Sequence, residues 1–296
     1  MQSDKQSIAV TIGGVTFKNP VFSASGIWGY GDEVSRVVDI TRLGAIVTKT
    51  ITLEPRPGNP PPRIHELQTG LLNSIGLENV GLEAFVSGKL PFLAGRGIDI
   101  IVSIAADTED DFKRMIERLA PLDGFLGIEV NLSCPNVEKG QLDHGRDPAF
   151  VEMISGVIKR SFPGKAVLIK ITPNLTSIGE VAAAAEAGGA DGITAINTLI
   201  GADFDLVTGK PVFAKVRAGY SGPGILPVAL QKVWEVAQAV SIPVVGVGGI
   251  ACVDDARKFF LAGASAVQIG TQLFADPGLA GELVEELERN PHWLHH

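Results

Sequence analysis

The sequence predicts an α/β fold: a closed (β/α)8 TIM barrel, with an N-terminal β-hairpin and insertions on its C-terminal face. Three observations carry this. Eight short apolar runs recur along the 296 residues. Helix-like segments follow most of them. Two of the crossovers are too long for a single helix, which is where a barrel grows its functional loops. Near-continuous apolar runs without strict alternation suit parallel strands buried on both faces. A doubly wound open sheet also alternates strand and helix, but eight units in one chain of this size favour closure.

The elements follow in order. "IAVTIGGVTFKNP" (8–20) reads as a hairpin turning at Gly13-Gly14, placed to plug the barrel's N-terminal end. The barrel strands are "PVFSAS" (20–25), "AIVTKT" (45–50), "IIVSIA" (100–105) and "LGIEVNLS" (126–133), then "AVLIKIT" (166–172), "GITAIN" (192–197), "IPVVGVGG" (242–249) and "SAVQIG" (265–270). The segment "TEDDFKRMIERLA" predicts a helix with Thr108 as N-cap and acids in its first turn. Further helices are expected in "DPAFVEMISGVIKRSF", "SIGEVAAAAEAGG", "PVALQKVWEVAQAV" and "CVDDARKFFLAGA". The long crossovers are 51–99, with "EPRPGNPPPR", and 198–241, with "FDLVTGKPVFA". No boundary, short repeat or low-complexity tail divides the chain, so a single domain over 1–296 is expected.

Composition narrows the function. Lys and Arg total 25 against 33 Asp and Glu, a net charge of −8, which is a poor match for a phosphate backbone and argues against nucleic acid. Two cysteines, Cys134 and Cys252, cannot form a disulfide framework or a four-cysteine cluster. A reducing cytoplasm is the simplest setting. No signal pattern and no bilayer-spanning apolar run appear, so a membrane is not expected. His65 and His144 have no second ligand at metal spacing, and no metal is expected.

In a barrel of this kind the last residues of each strand face a common site. Here they are Ser25, Lys49-Thr50, Ser103, Asn131, Lys170, Asn197-Thr198, Gly248-Gly249 and Gly270-Thr271. Each could simply point to water. Together, two lysines and two amides at the ends of apolar strands ask for a ligand, because buried lysine is rare unless paired. The glycine-bearing ends "GVGGI" and "IGTQ" follow strands seven and eight, the usual barrel phosphate position. "GVGG" alone also reads as a tight turn, and it is not the dinucleotide fingerprint. Lys170 near a phosphate suits a flavin, since a fixed cation favours the reduced, anionic ring. A Schiff-base lysine is the alternative. Asparagine offers both donor and acceptor, which matches the edge of a pyrimidine.

Cys134 lies in "VNLSCPNVEKG", just past the fourth strand. An isolated cysteine is most often a small buried hydrophobe, and Cys252, entering a helix, is read that way. The polar Asn-x-x-Cys-Pro-Asn setting favours a base for Cys134, one able to take a proton beside a carbonyl. The polar "NVEKGQLDHGRDP" that follows has the composition of a lid.

The motifs "LLNSIGLEN", "NLSCPN", "IKITPN", "INTL", "FDLVTGKPVFA", "SGPGILPVAL", "GVGGI" and "GASAVQIGTQLFADP" together resemble the class 1 dihydroorotate dehydrogenases. The resemblance runs from about Val10 to Pro277, and "SGPGILPVAL" and "FDLVTGKPVFA" are most similar to the class 1B catalytic subunit. It implies oxidation of dihydroorotate to orotate with Cys134 as base. It implies substrate binding by Lys49, Asn73, Ser74, Ile75, Gly76, Leu77, Asn131, Asn136, Asn197 and Thr198. It implies one non-covalent FMN held by Ser25, Lys49, Thr50, Ser103, Asn131, Lys170, Ile196, Gly222, Gly248, Gly249, Gly270 and Thr271. It further implies a partner subunit carrying FAD and a [2Fe-2S] cluster, in a heterotetramer of two catalytic and two partner chains, with NAD as final acceptor. Ser103 stands where class 1B members commonly have Asn, Thr50 replaces Ala or Ser, and "DHGR" maps to no role. A fumarate-using class 1A enzyme, a dihydropyrimidine dehydrogenase-like protein, and a flavin-free barrel isomerase or aldolase are the alternatives.

Overall fold

A computed structural model describes residues 7–132 and 144–294. The chain opens with a hairpin, β1 (Val10–Ile12) and β2 (Val15–Phe17), paired antiparallel around Gly13-Gly14 as expected. It then runs through β3 (Val21–Ser23) and β4 (Ala45–Val47). An excursion carries β5 (Ile64–Leu67) and β6 (Gly70–Asn73) before β7 (Ile100–Ile104) and β8 (Gly127–Asn131). Next come β9 (Ala166–Ile171), β10 (Gly192–Ala195) and a second excursion with β11 (Leu199–Gly201) and β12 (Ala218–Ser221). The strands end with β13 (Val244–Val247) and β14 (Ala266–Ile269).

Strands β3, β4, β7, β8, β9, β10, β13 and β14 pair in parallel in that order, and β14 returns to β3 through Val267 and Val21. The barrel is closed. Its strands come from all eight predicted runs, and most of their residues are fully buried because helices cover the outside and side chains fill the inside. The expected helices form at Glu109–Leu119, Pro148–Ser161, Ile178–Ala187, Leu226–Ala239 and Val253–Leu261. Thr108 caps the first by accepting from the Asp111 amide.

The hairpin plugs one end. Ile12 and Phe17 are fully buried and pack with Phe22, Val47, Leu168 and Val245. The other end is covered by a four-stranded antiparallel sheet ordered β11-β12-β6-β5. Its central pairing, Gly219 with Asn73 and Ser221 with Leu71, joins the two long crossovers across the mouth of the barrel.

Cys252 does enter a helix, at the N-cap of Val253–Leu261. It is exposed there, which corrects its reading as a buried small hydrophobe. His65 shares a 2.9 Å hydrogen bond with Asp203 Oδ2 and so ties the two crossovers together.

Candidate active site

Between the strand ends and the covering sheet lies a cavity of about 1090 Å³. It is the size of pocket that encloses a cofactor together with a small substrate.

Its floor is a belt of polar side chains at the C-terminal ends of the strands. Ser25 donates to the Thr48 carbonyl at 2.9 Å and meets Thr50 Oγ1 at 3.1 Å. Thr50 in turn lies 2.9 Å from Ser103 Oγ and 3.5 Å from Asn131 Nδ2. Asn197 Nδ2 donates to Asn131 Oδ1 at 3.2 Å, and its own Oδ1 accepts from the Thr198 amide at 2.8 Å. These contacts fix which end of each amide faces which neighbour, so the belt presents set donors and acceptors. Lys170 lines the same cavity yet is only 5% exposed.

One wall is built from glycines. Gly248 and Gly249 leave β13 with φ of +133° and +80°, a region that side chains avoid. A Cβ on Gly249 would stand 2.6 Å from the Leu226 nitrogen, where the helix Leu226–Ala239 begins. A Cβ would therefore collide with that helix, so glycine is what lets the backbone pack against its start, the kind of place a barrel phosphate site uses. Gly222, Gly270 and Thr271 line the cavity too, and Thr271 Oγ1 donates to Ser221 Oγ at 2.9 Å.

The opposite wall is the stretch Asn73 to Leu77, all of which lines the cavity. Asn73 Nδ2 donates to the Gly219 carbonyl at 3.1 Å. Asn59 of the proline-rich loop, which also lines the cavity, holds the stretch: its Nδ2 donates to the Ser74 carbonyl at 3.0 Å and to its hydroxyl at 2.9 Å. Lys49 Nζ is 3.4 Å from Glu78 Oε2, and Arg63 Nη1 is 2.9 Å from the same oxygen. The positive charge of Lys49, with that of Arg63, holds the Glu78 carboxyl below the usual carboxylate range.

The site residues expected from sequence therefore meet in one place, with one exception among the described residues. Ser103 is fully buried and does not line the cavity; it stands behind Thr50 and supports that hydroxyl. Cys134 and Asn136 lie outside the described residues. Sequence reading missed Glu78, Asn174 and Arg146, which also line the cavity. Asn174, two residues past Thr172 in "IKITPN", donates to the Thr198 carbonyl at 3.0 Å. A polar residue soon after a strand end was the signal available for it.

A closed barrel whose polar strand ends, glycine wall and buried lysine converge on one cavity has the architecture of the barrel enzymes, whose sites lie at the C-terminal ends of the strands. The profile of the dihydroorotate dehydrogenases matches residues 7–290. The chain belongs to the dihydroorotate dehydrogenase family. It is 45% identical over 290 residues to the "Dihydroorotate dehydrogenase B (NAD(+)), catalytic subunit" of Trichlorobacter lovleyi, covering 98% of this chain and 94% of that protein. Proteins of the same description from Thermoanaerobacter sp. strain X514 and Geobacter sulfurreducens are 46% and 45% identical, each covering 96% of this chain and 93% of its relative.

Proposed function

We infer that this chain oxidises dihydroorotate to orotate in pyrimidine synthesis, as the catalytic subunit of an NAD-linked dihydroorotate dehydrogenase. The observation that carries the reading is the near-complete match to catalytic subunits of that description, over a chain whose polar strand ends converge on one cavity.

We propose FMN as the cofactor. The glycine cradle, the buried Lys170 and the size of the cavity fit it. Its phosphate would lie against Gly222, Gly248, Gly249, Gly270 and Thr271, with Ser25, Thr50, Lys49, Asn131 and Ile196 along the ring. When bound, FMN supplies the acceptor for the hydride that leaves the substrate.

The chain's own residues do the rest. Lys49 offers an ammonium to the substrate carboxylate, and Glu78 holds that lysine in place from its far side. Asn73, Asn131, Asn197 and Thr198 supply donors and acceptors to the ring edge, with Ser74 to Leu77 closing over it. Asn131 and Asn197 hold each other, so substrate meets a rigid pair of amides. The covering sheet excludes water from the reacting face. Cys134, three positions beyond Asn131, is proposed on the sequence alone as the base that takes the proton from carbon 5, with Asn136 as a further contact.

The electrons then pass to a partner subunit carrying FAD and a [2Fe-2S] cluster, in a heterotetramer of two catalytic and two partner chains, working in the cytoplasm. With two cysteines the catalytic chain cannot supply the four thiolates of such a cluster. Among the described residues no helix is long and apolar enough to cross a membrane. The isolated chain is expected to purify yellow and to pass electrons from dihydroorotate to a dye, while reducing NAD only when the partner is added. Rapid NAD reduction by the pure chain would contradict the division of labour. A colourless protein that binds no flavin would overturn the cofactor.

A further inference from the structure

We propose that Glu129 is a positioning residue for Lys170: its buried carboxylate, bridged by Gln268, holds the ammonium in place at the cavity floor. The proposal rests on reading the cavity as an FMN site. Glu129 sits in β8, two residues before Asn131, and is fully buried. Taking a carboxylate out of water is expensive unless it is paired and hydrogen-bonded. Oε2 accepts from Gln268 Nε2 at 2.6 Å and from Thr194 Oγ1 at 3.1 Å. Oε1 makes no hydrogen bond and lies 3.6 Å from Lys170 Nζ. Gln268 Oε1, the other end of that amide, accepts from Lys170 Nζ at 3.2 Å.

The arrangement has one consistent orientation. Gln268 must turn its NH2 to the carboxylate and its carbonyl to the ammonium, since a reversed amide would set like ends against each other. The four side chains come from β8, β9, β10 and β14, so the barrel frame itself fixes the lysine. Of the charged groups on these four strands, Lys170 and Glu129 are the whole set. Lys49, Glu78, Arg146, Lys215 and Arg217 line the cavity from the segments beyond the strands.

Stability does not explain the pair. Buried ion pairs can commonly be replaced by apolar residues without loss, and this barrel interior is otherwise rich in such residues. A cation beside a cofactor that gains negative charge on reduction is useful only where it is held at the place that charge develops. Glu129, with the Gln268 carbonyl, holds the ammonium there.

The test is the midpoint potential of bound flavin in the holoenzyme at neutral pH, for wild type, Lys170→Ala, Glu129→Gln and the double variant. Lys170→Ala should lower the potential. In the Lys170→Ala background Glu129→Gln reports only the loss of a nearby anion. With Lys170 present the same change also releases the ammonium from its anchor, so its shift there should be less positive. Thr194→Val removes one donor to the carboxylate and is close to isosteric, so it should act in the same sense by less. If Glu129→Gln does not fold, this milder variant, taken through the same cycle, decides. Equal shifts in the two backgrounds, in variants that retain FMN, overturn the proposal, even if melting temperatures fall. A wild-type chain that binds no FMN overturns the cofactor reading and takes this proposal with it.

Discussion

Two glycines of the proposed phosphate cradle should respond very differently to the same added methyl group. At Gly249 the new Cβ would lie 2.6 Å from the Leu226 nitrogen and 2.7 Å from its Cα, and φ is +80°. Both contacts are backbone at the start of a 14-residue helix, so nothing flexible can yield. Holding alanine in the left-handed region costs about 1–2 kcal/mol, and overpacking typically costs about 1–3 kcal/mol. Gly249→Ala should therefore destabilise the cofactor-free chain by about 2–5 kcal/mol. At about 2–4 °C per kcal/mol for a chain this large, its melting temperature should fall by roughly 4–20 °C. At Gly270 the nearest atom to a new Cβ is Ala24 Cβ at 3.7 Å, an ordinary contact. Gly270→Ala should cost less than about 1 kcal/mol. Thermal unfolding of both variants without flavin, followed by FMN titration, reads the two effects separately. FMN should bind Gly249→Ala much more weakly, because the substitution displaces the helix start that faces the phosphate. Equal melting temperatures for the two variants, or undiminished FMN affinity in Gly249→Ala, would refute the reasoning.

Cys134→Ser keeps the size of the proposed base but supplies a far weaker one. Flavin reduction by dihydroorotate should slow by about 10²–10⁴-fold at neutral pH, with orotate affinity little changed; a wild-type rate in stopped flow across the pH range would remove the cysteine from the mechanism. Glu78→Gln should release Lys49 toward an anionic ligand and tighten orotate binding by about 1.5–5-fold, the range for a half-exposed ion pair. Because the Glu78 carboxyl is held low by Lys49, the pair persists at and above the ordinary carboxylate range and is lost as pH falls through the depressed value. Orotate titrations of wild type and Glu78→Gln should therefore converge in acid and differ at neutral pH, and a constant ratio would show that Glu78 does not restrain Lys49.

The barrel was legible because each strand is a local apolar run between glycines, prolines and helix patterns. The hairpin was legible because Gly13-Gly14 interrupts a short alternating stretch. The covering sheet was not. Its pairing of Asn73 with Gly219 joins segments far apart in sequence, and neither crossover carries an apolar pattern that announces its partner. The strand-end rule picked residues that line the cavity, since residue type and position together marked Lys49, Asn131, Lys170 and Asn197. Ser103 alone does not line it, because alternation along β7 does not say that its hydroxyl will meet Thr50 instead. Glu129 and Gln268 escaped for a related reason. Each is one polar residue inside an apolar run, and only barrel closure brings β8 and β14 close enough for them to meet.

The most direct test is anaerobic mixing of the purified chain with dihydroorotate, watching the flavin absorbance and assaying orotate. The account predicts that bound FMN bleaches and that one orotate forms per flavin reduced, without any partner subunit. A flavin that stays oxidised in the presence of saturating dihydroorotate would contradict it.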